Sequence, residues 1–334
     1  MNTMSNILEN ANINPRKIAM VGCGFVGSTS VYAIMQSGIA SEIVLIDADQ
    51  NRAEGEAMDI SHAIPFSTTQ HIYAGDYRDI KDAALVIVTA GAAQKPGESR
   101  LDLVNKNVGI FKSIIPQIKD SGFGGILMIV SNPVDILTYV AWKLSGFSKE
   151  RVIGSGTVLD SARLKYMLGE HLDVDARNVH AYVIGEHGDS EIVAWSSADV
   201  SGVNVNQFCE IRGHFQHESS MKKIADDVKN SAYEIIEKKH ATYYGVASAV
   251  RRIAEVILKD EKSILPVSSL MEGEYGISDI YLSMPAVVTS SGVETKVHID
   301  LSYEELTNLQ NSANTLKEIL GKLDLSMSAK KQDK

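Results

Sequence analysis

Several residues in the middle of the chain are of types, and at spacings, that could move a proton and hold an anion. Asp160 and Arg163 lie in GTVLDSARLKYML, a helical pattern in which a spacing of three puts both on one face. His187 stands between glycines in GEHGDSE, after the strand-like NVHAYVI. A histidine can give and take a proton near neutral pH. An arginine fork can hold a planar carboxylate through two hydrogen bonds. Singly, each has a plainer explanation: a surface ion pair worth little, or a loop histidine satisfied by its neighbours. SNPVD, Ser131 to Asp135, comes at the end of an apolar strand, where open α/β sheets bind ligands. HATYYG brings Thr242 to the start of a helix. AGAAQKPGESR, Ala90 to Arg100, is small, polar and glycine-studded, and it follows the apolar run ALVIVT. A loop in that place is set to cover something, and Arg100 at its far end points to something anionic.

Positioning such groups requires a rigid frame, and the pattern supplies one. KIAMV, SEIVLID, HIYAGD, ALVIVT and GGILMIV read as strands, with helical stretches between them, including one over roughly residues 101–120. Continuous apolar strands alternating with helices indicate a parallel sheet covered on both faces. This first lobe is expected over residues 15–155. The second, over 156–325, differs. NVHAYVIG reads as a strand, while Met221, Ile224, Val228, Ala232 and Ile235, then Val246, Val250, Ile253 and Ile257, follow helical spacing. Alternating strands between Ile264 and Ile299 suggest an antiparallel sheet. Ser302 with Glu305 forms a capping box for a last helix striped by Leu306, Leu309, Ala313, Leu316 and Leu320. Residues 1–14 form a polar arm and 326–334 a polar tail.

Gly22-Cys23-Gly24-Phe25-Val26-Gly27 is GxGxxG, placed after a strand and opening a helix. In that context the glycines permit a tight turn and let the backbone approach a pyrophosphate at the helix N-terminus. Asp47 ends the next strand, twenty residues after Gly27. Its carboxylate can accept from both ribose hydroxyls and would repel a 2′-phosphate, so NAD is expected over NADP. A methyltransferase can show the same glycine-plus-acid pattern, so this motif alone does not define redox chemistry.

Composition bounds the rest. The 334 residues are 44% hydrophobic and 22% charged, with a net charge of −10, as in a globular protein of two lobes or one large α/β domain. An acidic surface argues against nucleic-acid or anionic-membrane binding. Two cysteines, Cys23 and Cys209, are too few for a disulfide framework or a zinc site, and no metal is expected. Reduced thiols, no secretory signal and no spanning run lead to the expectation of a cytoplasmic protein.

Together, the glycine turn with Asp47, GAAQKPGESRLDLV, VSNPVD, GTVLDSARL, GEHGDSE and ATYYG closely resemble the L-lactate dehydrogenase family of NAD-dependent 2-hydroxyacid dehydrogenases, in family order and over nearly the whole chain. The resemblance implies a Rossmann doubly wound parallel sheet followed by a mixed α+β catalytic domain, NAD as cofactor, a homotetramer, and the reaction of pyruvate with NADH to L-lactate. It implies His187 as acid/base, Asp160 as its orienting partner, Arg163 as the fork for the substrate carboxylate, and Arg100 as the loop cation that polarises the carbonyl when Gly91 and Gly97 let the loop close. Asn132, Asp135 and Thr242 are then expected at the substrate. Val26, Arg52, Tyr77, Gly91, Ala92, Ser113, Ser131 and Asn132 are expected at the cofactor, with Gly22, Gly24, Gly27 and Asp47. Malate dehydrogenases carry an arginine at the position of Gln94, which offers no charge to a second carboxylate. Lys95 is adjacent, and the family has lysine there without malate activity. A malate or other 2-hydroxyacid dehydrogenase, or a nucleotide-binding protein without the chemistry, are the alternatives. In bacterial relatives fructose 1,6-bisphosphate binds at an arginine and a histidine that correspond to Lys165 and His180, and lysine lacks the planar fork.

Overall fold

The computed structural model describes residues 13–92 and 100–325, without the side chain of Arg100. The arm, the tail and loop residues Gln94, Lys95 and Gly97 lie outside the described residues.

The apolar runs expected as strands form β1 (Asn14–Val21), β2 (Glu42–Ile46), β3 (His71–Ala74), β4 (Ala83–Val88), β5 (Ile126–Ile129) and β6 (Val152–Gly154). All six pair in parallel, in the order β3-β2-β1-β4-β5-β6. Ile18 to Met20 and Leu85 to Val88 are fully buried, as helices on both faces require. The helices of this half are α1 (Phe25–Ser37), α2 (Gln50–Ser61), α3 (Arg100–Asp120) and α4 (Val134–Ser145). Because β1 has β2 on one side and β4 on the other, the chain departs in opposite directions there. A crevice opens at their carboxyl ends.

The second half begins with α5 (Val158–Leu172). The segment read as one strand is broken into β7 (Val179–His180) and β8 (Val183–Ile184). They belong to different small sheets: β7 pairs with β10 (Asp199–Val200), which also pairs β11 (Val203–Asn204), and β8 pairs with β9 (Ile192–Val193). Tyr182 lies between them, and a change of partner there is invisible in an alternating pattern. Next come α6 (Val205–Ile211), α7 (His217–Lys239) and α8 (Tyr244–Lys259), then β12 (Ser263–Glu272), β13 (Ser278–Thr289), β14 (Gly292–Lys296) and α9 (Tyr303–Leu320). The last three strands are antiparallel, as expected, but they do not make a sheet of their own. Ser268 of β12 pairs with Gly154 of β6, and one nine-stranded sheet runs through both halves.

The cap of α9 forms as its sequence dictates. Glu305 N–H donates to Ser302 Oγ (3.2 Å), and Ser302 N–H donates to Glu305 Oε2 (2.7 Å). Glu305 also accepts from the N–H of Ser196 at 3.0 Å, tying α9 to the chain after β9. Ser302→Ala removes one cap bond and should cost about 1 kcal/mol. Glu305→Ala removes the tie as well, leaves Ser196 N–H unpaired, and should cost more. Urea unfolding midpoints of the two variants check this order.

Candidate active site

The glycine turn follows β1 directly, and its three glycines are needed for three reasons. Gly22 has φ +102°, and a Cβ there would lie 2.5 Å from Ala90 N. A Cβ on Gly27 would lie 1.9 Å from Gly22 O, so α1 could not pack against the turn. A Cβ on Gly24 would meet no protein atom within 4 Å. Packing therefore explains two of the glycines, and open space lies beside the third. Gly24 is also the N-cap of α1 and offers no side chain to its first amides, which leaves them for an anion.

Asp47 stands across this turn. Its Oδ2 accepts from Cys23 N–H at 2.6 Å and its Oδ1 from Asp49 N–H at 2.9 Å. The carboxylate is held in place while retaining lone pairs for ribose hydroxyls. A cleft of about 610 Å³ runs from there, lined by Gly22, Gly24, Asp47, Arg52, Tyr77, Gly91 and Ser113, all expected at the cofactor. Burial first, and then the charge of Asp47, raise the Tyr77 phenol to about 12, so it stays neutral. Val26, Ala92, Ser131 and Asn132 do not line this cleft. Ser131 Oγ donates to Ala90 O (2.7 Å). Asn107, which sequence reasoning missed, joins the two cleft edges: its Oδ1 accepts from Ala92 N–H (2.7 Å), and its Nδ2 donates to Asn132 O (2.8 Å). A single asparagine inside a helical stripe gives no signal of that role. These residues fit a dinucleotide: a turn with open space beside Gly24, first-turn amides without a side-chain cap and a fixed acid.

His187, Asp160 and Arg163 come together. Asp160 is in the first turn of α5, whose start is tied to β8: Thr157 Oγ1 donates to Val183 O (2.5 Å), and Val183 N–H donates to Ser161 Oγ (2.9 Å). The loop after β8 thus passes over Asp160. Asp160 Oδ2 is 2.6 Å from His187 Nδ1, and its Oδ1 accepts from Arg163 Nη1 at 2.8 Å. Asp160 is 2% exposed. Burial works against its charge, but His187 and Arg163 hold its pKa below the ordinary value. Burial alone would lower the pKa of His187, yet the charge and hydrogen bond of Asp160 raise it to about 9. With Nδ1 engaged, Nε2 is the nitrogen left for a reacting group, and a quarter of the side chain is accessible. The other guanidinium nitrogens of Arg163 have no acceptor among the described residues, although the side chain is only 13% exposed.

Asp135, expected at the substrate, sits behind His187. Its Oδ2 accepts from His187 N–H (2.8 Å) and its Oδ1 from Ser268 Oγ (2.5 Å). Burial raises its pKa against both bonds. The backbone of the histidine loop is what this carboxylate holds, and the partners come from too far along the chain for a local pattern to reveal. Glu191, in the quoted GEHGDSE but given no role, also belongs here. Its carboxylate lies within 4.8 Å of ligand atoms of both Asp160 and His187. Burial and the charge of Asp160 raise it to about 8, so it is mostly protonated at neutral pH. Thr242 precedes α8 by two residues, and Tyr243 stacks on Phe25 with centroids 5.5 Å apart. The second half therefore reaches the glycine turn. Arg100 begins α3, and Gln94 is outside the described residues.

A cleft fit for a dinucleotide, together with a buried carboxylate bridging a histidine and an arginine, is the equipment of a cofactor-dependent oxidoreductase. Residues 16–154 match the lactate/malate dehydrogenase NAD binding domain, and residues 157–324 match the lactate/malate dehydrogenase alpha/beta C-terminal domain; the chain belongs to the lactate/malate dehydrogenase family and is NAD-dependent. It is 56% identical over 304 residues to L-lactate dehydrogenase 1 of Clostridium acetobutylicum, covering 91% of this chain and 97% of that one. It is 54% identical over 310 residues to L-lactate dehydrogenase of Acetivibrio thermocellus, covering 93% and 98%. Among solved structures, the minor L-lactate dehydrogenase of Enterococcus mundtii in its ligands-bound form superposes with a TM-score of 0.90 at 43% identity, covering 93% of this chain and 99% of that one.

In Asp160→Asn, burial still disfavours the imidazolium while the main opposing charge is gone. The pKa of His187 should then fall from about 9 to below the ordinary 6.5. Isotope-labelled histidine NMR, with His187→Gln to assign the signal, measures it. An unshifted titration would show that Asp160 does not hold that charge.

Proposed function

We propose that this protein is an L-lactate dehydrogenase that interconverts pyruvate with NADH and L-lactate with NAD⁺. The observation that carries this reading is the bridge through Asp160, which joins a guanidinium with unspent donors to an imidazole kept protonated near neutral pH. The names of the relatives agree with it.

NADH, when bound, supplies the hydride. The protein does the rest. Arg163 holds the substrate carboxylate through two hydrogen bonds, fixing the face of the keto group. His187 gives a proton from Nε2 to the carbonyl oxygen and recovers it in the reverse direction. Asp160 keeps the ring oriented and stabilises its cation, while Asp135 holds the loop backbone. Arg100 polarises the carbonyl as charge develops on oxygen. Asn132 and Thr242 bound the substrate space. Loop closure excludes water and strengthens each of these interactions.

Gln94 sets the size of the charge that is accepted. Arg163 balances one carboxylate, so a second would enter a closed site unpaired, at a cost of several kcal/mol. NADH oxidation at about 340 nm should therefore show a much larger kcat/KM for pyruvate than for oxaloacetate. Equal values would mean that another cation, Lys95 first, reaches the second carboxylate.

The same reading includes a homotetramer in the cytoplasm, where the buried thiols of Cys23 and Cys209 stay reduced. Among the described residues, no helix is long and apolar enough to cross a membrane. It also includes weak or conditional activation by fructose 1,6-bisphosphate at Lys165 and His180, since lysine lacks the planar fork of arginine. Lys165 is half-buried, its pKa lowered by burial. Its ammonium lies 5.7 Å from the centre of the Tyr182 ring, with no carboxylate in ion-pair contact among the described residues. A cation in that setting gains from a phosphate. His180 is exposed on β7, which packs against α5. The bisphosphate should lower the pyruvate concentration needed for half-saturation, and Lys165→Gln should remove the effect. An unchanged saturation curve across pH and enzyme concentration would overturn it.

A further inference from the structure

The cofactor cleft opens at the carboxyl ends of the parallel strands, where Ser131 and Asn132 follow β5. At the opposite, amino ends of β5 and β6 lies a separate cavity of about 260 Å³. That is close to the lower end of the range for small-molecule sites, roughly 300–1,000 Å³. Both halves of the chain build it. Ile126 opens β5, Glu150 and Arg151 stand just before β6, Lys262 follows α8, and Val293 and Glu294 belong to β14. None of its residues lines the cofactor cleft or belongs to the catalytic bridge.

Arg151 is the half-buried cation of this cavity. Its Nε and Nη2 both donate to Gly125 O, at 3.0 and 2.7 Å, which occupies one edge of the guanidinium. The other edge, Nη1 with the second N–H of Nη2, has no acceptor among the described residues. The guanidinium carbon lies 4.8 Å from the centre of the Phe147 ring, which holds the plane in place. Burial lowers the pKa of Arg151, and no carboxylate is in ion-pair contact with it among the described residues. A fixed guanidinium with one free edge suits a planar carboxylate.

The acids around the cavity are satisfied to different degrees. Asp260 is occupied, since it accepts from Ser290 N–H and Ser290 Oγ, both at 2.9 Å. Glu150 reaches Lys149 at 3.8 Å, but Lys149 is already paired with Glu272. Glu294 is exposed and has no ion pair among the described residues. Two cations, Arg151 and Lys262, thus share the cavity with three carboxylates. A simple anion would meet a negative surplus there, whereas a ligand that carries both charges would not. Ile126 and Val293 are buried and offer an apolar wall.

We propose that this cavity binds a small zwitterion, an α-amino acid with an apolar side chain. Its carboxylate takes the free edge of Arg151, its ammonium faces Glu150 and Glu294, and its side chain lies against Ile126 and Val293. Bound there, it ties the start of β5 to the β13–β14 hairpin.

Calorimetric titration of the full chain with L-leucine tests this. The controls are 4-methylpentanoate and 3-methylbutylamine, each of which lacks one of the two charged groups. The variants are Arg151→Gln, which removes the fork, Ser291→Trp, which fills the cavity from an exposed turn position, and Arg163→Gln, which removes the other free guanidinium. Leucine should bind once per chain with a Kd of about 1 mM or tighter. Binding should weaken about tenfold or more in Arg151→Gln and in Ser291→Trp, and stay as in the parent in Arg163→Gln. Both controls should bind about tenfold or more weakly than leucine. NADH binding, followed by its fluorescence, should match the parent in all three variants, which shows that they fold. A leucine Kd above that limit, affinity unchanged in Arg151→Gln or in Ser291→Trp, affinity lost in Arg163→Gln, or a control that binds as tightly as leucine would each overturn the proposal.

Discussion

The carboxylate of Asp160 is the group on which the rest of the site depends. It is buried, and it survives as an anion because a cation stands on each side of it, Arg163 at 2.8 Å and His187 at 2.6 Å. In a medium of low polarity, removal of Asp160 would leave two cations facing each other without a counter-charge. Two cations and one anion leave a surplus of one positive charge. Burial and the charge of Asp160 raise the nearby Glu191 carboxyl to about 8, so it adds little negative charge to the pair of cations.

Holding that cluster in register takes elements from the entire chain. The histidine loop is paired to β13 by reciprocal Gly185–Ser283 backbone bonds of 2.9 and 3.0 Å. Ser312 of α9 accepts from Glu186 N–H at 3.0 Å. Asp135 of α4 grips the backbone of His187 itself. Strand and helices converge on three consecutive residues, Gly185 to His187, through buried polar groups that lose heavily if left unpaired. A histidine that must change charge without moving is best mounted in this way.

The first half of the fold was legible because its strands are buried on both faces, which writes them as unbroken apolar runs. The glycine turn and Asp47 could be read for the same reason: their spacing is local. Asp160, Arg163 and His187 were legible only as types, and it took the motifs together to read them as parts of one site. Sequence could not show that Asp135 faces the histidine backbone, that Asn107 joins the cleft edges, or that Glu191 is protonated. Each depends on partners brought near by tertiary folding. The break of NVHAYVIG into two strands, and the fusion of the late hairpins to the early sheet, escaped for the same reason. Alternation reports which face is buried, not which neighbour a strand chooses.

That fusion has a consequence for biogenesis. The ribosome delivers β6 more than a hundred residues before Ser268 arrives to pair with Gly154. Until then the growing sheet ends in an open, apolar edge, a template for any other nascent strand. Contacts so distant in sequence also form slowly. The interval between the two events is the vulnerable period in this chain's life, when chaperone supply and translation speed decide between a folded enzyme and an aggregate. A truncated product that stops in the middle would keep the nucleotide turn and expose the edge for good.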